Sequence, residues 1–356
     1  MDSRPREAKS TARASGRATA VKSINLALQG GGAHGAFTWG VLDRLLEDER
    51  ITVEGVSATS AGAMNATVLA YGLAEGGREG AKRALANFWR RIAHAASTGP
   101  LQPTLWDRMT GNRALENSPA FIAFDLISRL LSPYQFNPWN YNPLRQVLEQ
   151  SVDFDVLRSE HSQVKLYLSA TNVRTGRVKV FDRTELCVDA VLASGCLPFM
   201  FQAIEIDGEA YWDGGYMGNP AIFPLIYGCG SRDVVVVHIN PMERPEIPKT
   251  AMEILNRINE ISFNSSLLRE MRAIGFVTKL IDEGSACGKE LKRMLIHAIS
   301  ADDVMTRLGA ASKLNAGWEF LTDLREAGRQ RADAWLIEHF EQLGKESTVD
   351  LAAEYL

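Results

Sequence analysis

The amino-acid sequence predicts an α/β protein, in which a three-layer α/β/α sheet is followed by a helical C-terminal extension. Short apolar runs typical of strands alternate with segments of helical periodicity, which is the pattern of a sheet covered by helices on both faces. The strand-like runs lie at residues 24–28, 51–56, 164–170, 178–181 and 233–239. Beyond about Pro245 the apolar residues keep helical spacing instead.

Length and composition indicate a folded intracellular enzyme. The chain has 356 residues, of which 46% are hydrophobic and 23% charged, enough for one large α/β domain and a smaller appendage. We expect a catalytic domain at 23–244 and a helical extension at 245–356 that packs on it. That extension is predicted to hold a long helix around 254–274 and two shorter helices, at 314–324 and 332–340.

The first 22 residues form a basic segment of their own. They carry six basic and two acidic residues, a net charge of +4, whereas the whole chain has a formal net charge of −4. This Ala/Ser-rich segment has no aromatic residues, so the sequence predicts a disordered tail at 1–22. It also lacks the apolar stretch of a secretory signal.

The cysteines bear on metal binding and disulfide formation, and the longest apolar stretch bears on membrane insertion. Cys187, Cys196, Cys229 and Cys287 have neither metal-ligand spacing nor the density of a disulfide framework, so reduced thiols in the cytoplasm are expected. No metal, other cofactor or nucleic-acid partner is predicted. The apolar stretch at 190–201 is too short to span a bilayer, so any membrane contact would be peripheral. The oligomeric state stays open.

A glycine-rich turn follows the first predicted strand. Gly30, Gly31 and Gly32, with Gly35 beyond them, let backbone N–H groups approach a ligand closely, and a helix after them would add a positive dipole end. The turn is therefore a candidate oxyanion hole. Its G-x-G-x-x-G spacing also fits a dinucleotide-binding turn, with Glu54 as the ribose-binding acid, although Glu54 falls inside the second strand rather than at its end.

A second turn follows the second predicted strand and has the form of a nucleophile elbow. Ser60 stands between small residues, followed by Ala61 and Gly62, where a strand would reverse sharply into a helix at about 63–73. Small neighbours are needed because the two backbones nearly touch at such an elbow, which exposes the serine hydroxyl at its tip.

A third turn, after a hairpin-like segment at 204–210, has the sequence Asp213-Gly214-Gly215. Taken alone it is a common turn. Together and in this order, the three turns resemble the patatin-like phospholipase family, whose pattern is Gly-Gly-Gly-x-x-Gly, Gly-x-Ser-x-Gly and Asp-Gly-Gly/Ala. The resemblance covers about residues 24–240 and includes Ala193-Ser194 followed by Pro198.

The resemblance implies a lipid acyl hydrolase with a Ser–Asp dyad and a lipid or other acyl ester as substrate. Ser60 would attack the ester carbonyl and Asp213 would take up its proton. The N–H groups of Gly31 and Gly32, together with that of Ala61, would donate to the oxyanion, with Gly30 in the same loop. Asp213 would need a partly desolvated site, because an aspartate in water is a weak base.

Two positions depart from the family pattern. Ala58 stands where the family elbow usually begins with glycine, and His34 stands where the glycine loop usually carries Arg or Lys. We expect His34 to be neutral near pH 7.

An insertion predicted at 98–142 is rich in large apolar side chains, among them Phe121, Leu130, Trp139 and Tyr141. It would either cover the core or form a lid or acyl-chain wall beside the dyad.

Two further alternatives stay open on the sequence. His238, after the strand at 233–239, could complete a Ser-Asp-His triad with Ser60 and Asp213. A non-catalytic or nucleotide-binding protein would instead use the glycine loop to hold phosphate.

Overall fold

The computed structural model describes residues 21–97, 99, 118–284 and 291–355. The predicted tail at 1–22 therefore lies outside the described residues except for its last two, and Lys22 is the first residue of a strand. The first part of the predicted insertion, up to residue 117, also lies outside them apart from Gly99.

A mixed sheet forms the middle layer of the protein. Its strands are β1 (Lys22–Leu28), β2 (Ile51–Thr59), β3 (Lys165–Asn172), β4 (Val178–Phe181), β5 (Ile204–Ile206), β6 (Glu209–Asp213), β7 (Asp233–Val237) and β8 (Leu295–Ile299). They lie in the order β5-β6-β3-β2-β1-β7-β8, and β4 pairs with β3. The five strands β1, β2, β3, β7 and β8 are parallel, whereas β4 and β6 run antiparallel to β3.

Helices lie on both faces of this sheet. They are α1 (Gly35–Glu47), α2 (Ala61–Ser97), α3 (Pro119–Leu130), α4 (Pro133–Phe136), α5 (Pro143–Glu149), α6 (Phe154–Arg158), α7 (Val188–Ser194), α8 (Phe223–Gly228), α9 (Ala251–Asp282), α10 (Asp302–Met305), α11 (Trp318–His339) and α12 (Leu351–Tyr355). Alternate residues of β7 face opposite layers: Val235 and Val237 pack with α1, α2 and α11, and Val234 and Val236 pack with α8 and α9. This arrangement confirms the predicted three-layer α/β/α fold.

The helix after Ser60 is longer than the sequence predicted. It begins at Ala61 and runs to Ser97, and Gly76 and Gly77 break it into two helical parts. Gly77 has φ +58, a left-handed conformation that glycine adopts without a steric penalty.

The C-terminal segment differs from the prediction of an all-helical extension. It contributes β8, which pairs parallel with β7 and extends the central sheet. The run Leu295-Ile-His-Ala-Ile is only five residues long, and its periodicity does not distinguish a short buried strand from a helix. The two helices predicted at 314–324 and 332–340 are one continuous helix, α11.

Helix α11 packs closely along α1 because both helices carry a glycine at their crossing. A Cβ at Gly328 would overlap the carbonyl oxygen of Phe37, and one at Gly40 would overlap that of Arg325. Backbone contact at two points fixes the distance between the helices. Asp43 of α1 also accepts hydrogen bonds from Arg325 and Arg329, at 2.5 and 2.7 Å.

We predict that Gly328→Ala destabilises the protein, although alanine normally favours a helix over glycine by about 1 kcal/mol. The added methyl must push α1 and α11 apart, and such overpacking costs about 1–3 kcal/mol. Chemical denaturation measures the free energy of unfolding, with Gln330→Ala on the exposed face of α11 as the control. A stabilised Gly328→Ala variant would contradict the close packing.

Candidate active site

The Ser60 turn has the geometry of a nucleophile elbow. β2 ends at Thr59, α2 begins at Ala61, and Ser60 between them has φ +55, a conformation that costs a residue with a Cβ about 1–3 kcal/mol. The Ser60 N–H donates to Ser194 Oγ at 2.9 Å, and the Ser194 hydroxyl donates to the Ser169 carbonyl at 2.7 Å. Ser194, which the sequence indicated only as part of the family pattern, therefore helps to fix the elbow.

The glycine loop lies directly against this elbow. A Cβ on Gly30 would come within 2.6 Å of Ser60 Cβ, one on Gly35 within 2.7 Å of Ala61 Cβ, and one on Gly62 would overlap the Leu28 carbonyl. Glycine is thus required at these three positions because the neighbouring backbone and side chains leave no space for a Cβ, not because the backbone needs conformational freedom. The contact brings the glycine loop and Ser60 together.

The backbone N–H groups near Ser60 differ in whether they already have a hydrogen-bond acceptor. That of Gly30 donates to Asn219 Oδ1 at 2.7 Å, so Gly30 has no donor left for an oxyanion, contrary to its place in the predicted hole. Within the described part of the chain, the N–H groups of Gly31, Gly32 and Ala61 have no acceptor. Ala61 is the first residue of α2, where unpaired N–H groups are expected.

Strand register brings Asp213 to the elbow. β2 pairs Thr59 with Ser169 of β3, and β6 pairs Asp213 with the next residue of β3, Ala170. β6 therefore reaches β3 where β2 leaves the sheet at Ser60. Gly214 touches the Ser169 carbonyl and has no space for a side chain, and a Cβ on Gly215 would come within 2.9 Å of the Phe263 ring.

The Asp213 carboxyl is fully buried beside the partly exposed Ser60. Oδ1 accepts from the Gly215 N–H at 2.7 Å, and Oδ2 has no partner with hydrogen-bond geometry in the described residues. Burial raises the pKa of Asp213 to about 6, against the opposing effects of the Gly215 N–H, the Ser60 hydroxyl and Lys313. Most Asp213 carboxyls are therefore ionised at pH 7, with a basicity above that of an ordinary aspartate.

His34 is neutral, as predicted. Its Nε2 lies 2.8 Å from Ser312 Oγ, and burial, together with Lys313 and Arg244, lowers the pKa of His34 to about 3. The glycine loop itself therefore carries no charge.

A family model identifies the family to which this chain belongs. The family model of the patatin-like phospholipases matches residues 26–226, more than half of the chain. The chain belongs to the patatin-like phospholipase family. Membership assigns it a lipid acyl hydrolase activity.

Comparison with curated proteins gives no match. Among solved structures, this patatin-like phospholipase is similar to VipD from Legionella pneumophila, with 17% sequence identity and a TM-score of 0.44, over 90% of this chain and 68% of that chain.

Buried amide side chains hold the glycine loop of this patatin-like phospholipase. Gln29 Oε1 accepts from the N–H groups of Ile239 and Asn240 at 2.9 and 3.1 Å, and Gln29 Nε2 donates to Asn264 at 3.3 Å. Asn240 Nδ2 donates to the Gly30 carbonyl at 2.7 Å. Sequence reasoning missed Asn219, Asn240 and Asn264, because nothing local marks an amide whose partner lies some two hundred residues away.

The structure does not bring His238 into the site. Its Nε2 lies 2.6 Å from the Tyr355 hydroxyl, and burial lowers the pKa of His238 to about 4. No hydrogen bond joins His238 to Ser60 or Asp213 within the described residues. The alternative of a Ser-Asp-His triad is therefore wrong for this arrangement.

Glu54 does not reach the glycine loop either. Its carboxylate accepts from the N–H groups of Gly230 and Ser231, at 2.7 and 2.8 Å, and from Lys165 at 3.0 Å. Burial would raise the pKa of Glu54, but these donors outweigh it and hold the pKa at about 2. Lys165 begins β3, so Glu54 lies toward the opposite edge of the sheet from Ser60 and is not placed to bind a ribose.

We predict that Asp213→Asn stabilises the protein at neutral pH. The pKa of Asp213 is about 6 in the folded state and near 3.8 when exposed, so the folded state binds more protons between these values and loses stability as pH rises through them. The variant's free energy of unfolding should exceed the wild-type value by about 3 kcal/mol at pH 7.5, and this difference should shrink toward pH 4.

Denaturation at several pH values measures this difference. Asp207→Asn, in the exposed β5–β6 turn, is the control and should leave the pH dependence unchanged. A difference for Asp213→Asn that is the same at pH 4 and pH 7.5 would contradict the buried, ionised carboxyl.

Proposed function

We propose that the protein is a serine lipid acyl hydrolase that cleaves carboxylic ester bonds of phospholipid or other fatty acyl esters through a Ser60–Asp213 dyad. One observation carries this proposal: the buried Asp213 carboxyl lies close enough to the partly exposed Ser60 hydroxyl for that hydroxyl to lower its pKa, and its Oδ2 has no partner with hydrogen-bond geometry in the described residues. An unpaired buried carboxylate oxygen is costly for a protein, and a base that must accept a proton during turnover accounts for that cost.

The reaction proceeds in two halves. Asp213 Oδ2 takes the Ser60 hydroxyl proton as Ser60 Oγ bonds to the ester carbonyl carbon. When the tetrahedral intermediate collapses, the bond to the leaving alcohol breaks and Asp213 returns the proton to that alcohol. Water then attacks the acyl-enzyme with the same base, which releases the fatty acid and regenerates Ser60.

The unpaired N–H groups of Gly31, Gly32 and Ala61 support an oxyanion hole beside Ser60. One such donor is worth about a hundred- to a thousandfold in rate. The amino end of α2 adds a positive dipole at the same place.

An active-site label tests the dyad. A long-chain fluorophosphonate in detergent micelles should add one phosphonyl group to Ser60, as seen by intact mass and peptide mapping. Asp213→Asn should slow this labelling by on the order of a thousandfold or more, because the amide cannot take up the proton. Ser194→Gly is not a suitable control because Ser194 fixes the elbow, so Ser159→Ala, at a partly exposed serine directly after α6, serves instead. An unlabelled Ser60 in the wild type would refute the hydrolase proposal.

An apolar surface beside the site supports a lipid substrate. It consists of exposed side chains from α3, from the loop after α4 and from the loop after Gly195: Ile122, Leu126, Leu130, Trp139, Tyr141 and Phe199. Trp139 is 90% exposed and Leu130 72%, so these side chains do not cover the core. Of the two roles considered for the insertion, its described part fits the acyl-chain wall or lid.

A close approach at Gly195 and one hydrogen bond from Gln202 connect the loop after Gly195 to both the elbow and the segment after α4. A Cβ on Gly195 would come within 3.6 Å of Ser60 Oγ, so the loop that begins there passes the nucleophile. Farther along this loop, Gln202 Nε2 donates to the Asn137 carbonyl at 2.8 Å. The loop after Gly195 therefore links Ser60 to the segment that carries Trp139.

The helices of the described ranges include none with the length and hydropathy needed to cross a bilayer.

We predict that the double change Leu130→Ser and Trp139→Ser weakens action on aggregated lipid. Each apolar side chain that enters the lipid contributes about 2 kcal/mol, so activity on phospholipid micelles should fall by tenfold or more while hydrolysis of a short soluble ester is unchanged. Tyr227→Ser is the control, since Tyr227 is 84% exposed next to Gly228, which accepts a hydrogen bond from Lys165 at the far edge of the sheet. Equal losses on both substrates would contradict a lipid-contacting role.

A further inference from the structure

The C-terminal segment adds a lysine to the glycine loop. Lys313 lies in the 3-10 turn Ala310–Leu314, between α10 and α11, beyond the matched residues 26–226. A Cβ on Gly32, whose φ is +59, would come within 3.3 Å of Lys313 Cβ, so the turn packs directly on the loop. Ser312, its neighbour, holds His34 of the same loop.

A chain of two hydrogen bonds joins the lysine to the loop backbone. Lys313 Nζ donates to Asn240 Oδ1 at 2.7 Å, and Asn240 Nδ2 donates to the Gly30 carbonyl at 2.7 Å. With its oxygen bound to an amine that only donates, Asn240 must present its NH₂ group to Gly30. Lys313 thereby sets the orientation of this amide.

Two acidic groups and one arginine affect the pKa of Lys313. Burial lowers the pKa of Lys313, Glu260 and Asp213 act in the opposite direction, and Arg244 adds to the lowering. Glu260 is itself paired with Arg244 and Arg257, at 2.6 and 3.2 Å. Lys313 is thus near enough to Asp213 for each to affect the pKa of the other.

We propose that Lys313 is a positioning residue of the hydrolase reaction, which acts through Asn240 to hold Gly30, and with it the N–H groups of Gly31 and Gly32, toward the oxyanion at Ser60. The inference rests on the proposed function, because it concerns the same oxyanion hole. It gives the C-terminal segment a direct part in the reaction rather than only a part in folding.

Kinetics on a soluble p-nitrophenyl ester test this inference. Lys313→Met keeps the length of the side chain but removes the donor, so kcat should fall by about ten- to a hundredfold with little change in KM, as for an interaction used mainly in the transition state. Lys313→Arg retains a donor and should recover most of the lost rate. A Lys313→Met enzyme with wild-type kcat would overturn the proposal.

A double-mutant cycle separates positioning from general destabilisation. If Lys313 acts through Asn240, then Asn240→Ala should lower kcat similarly and the double variant should lose no more than either single variant. Losses that multiply would overturn the proposed route. If Lys313→Met does not fold, Asn240→Ala decides alone, since a wild-type kcat there would also overturn it.

Two controls complete the design. Lys292 is another lysine whose pKa is lowered by burial, and its Nζ donates to the Cys229 carbonyl at 2.5 Å, away from the loop. Lys292→Met should therefore leave kcat unchanged. Fluorophosphonate labelling of wild-type Ser60 distinguishes the two failures: without it the proposed function falls, whereas with it an unaffected Lys313→Met refutes only the role of Lys313.

Discussion

The contact between Gly30 and Ser60 is the constraint on which the rest of the site depends. At that point the loop after β1 and the turn after β2 lie too close together for a Cβ on Gly30. Adjacent parallel strands bring the two turns to one edge of the sheet, and the missing side chain lets them touch. Ser60 is kept in its left-handed conformation by this contact and by the hydrogen bond from its N–H to Ser194. A larger residue at either point would move Ser60 relative to the N–H groups of Gly31, Gly32 and Ala61.

Burial of Asp213 gives the carboxyl its basicity and also makes it a source of instability. The same desolvation that raises the pKa of Asp213 to about 6 leaves an ionised group in the core at neutral pH. Favourable interactions elsewhere in the fold must therefore offset the free-energy cost of burying this ionised carboxylate. The closely packed α1 and α11, joined through Asp43, Arg325 and Arg329, are one such source. Strain and desolvation concentrated at a few residues are common at catalytic sites.

Local sequence patterns were enough to predict the sheet with helices on both faces and the three turns. Ser60 and the glycines follow predicted strands, so their sequence positions indicated the edge of the sheet that they share, whereas Asp213 was assigned to the site by the resemblance to the family pattern. β8 was missed because a run of five residues, four of them apolar, fits a strand and a helix equally well. The place of Gly30 in the hole was wrong for another reason: its N–H is taken by Asn219, 189 positions away. Asn240 and Lys313 lack a local signature for the same reason, since their roles exist only once β7 and the turn before α11 meet the glycine loop.

The path of the chain through the glycine loop has a consequence for protein synthesis. The loop and Ser60 leave the ribosome before Asn240, Asn264, Ser312 and Lys313, which contact the loop directly or through one another. A growing chain therefore carries Ser60 without the groups that fix the loop beside it. The loop is fully held only once the turn before α11 has been made and packs onto it. A chain that stops before that turn would lack Ser312 and Lys313, the partners of His34 and Asn240.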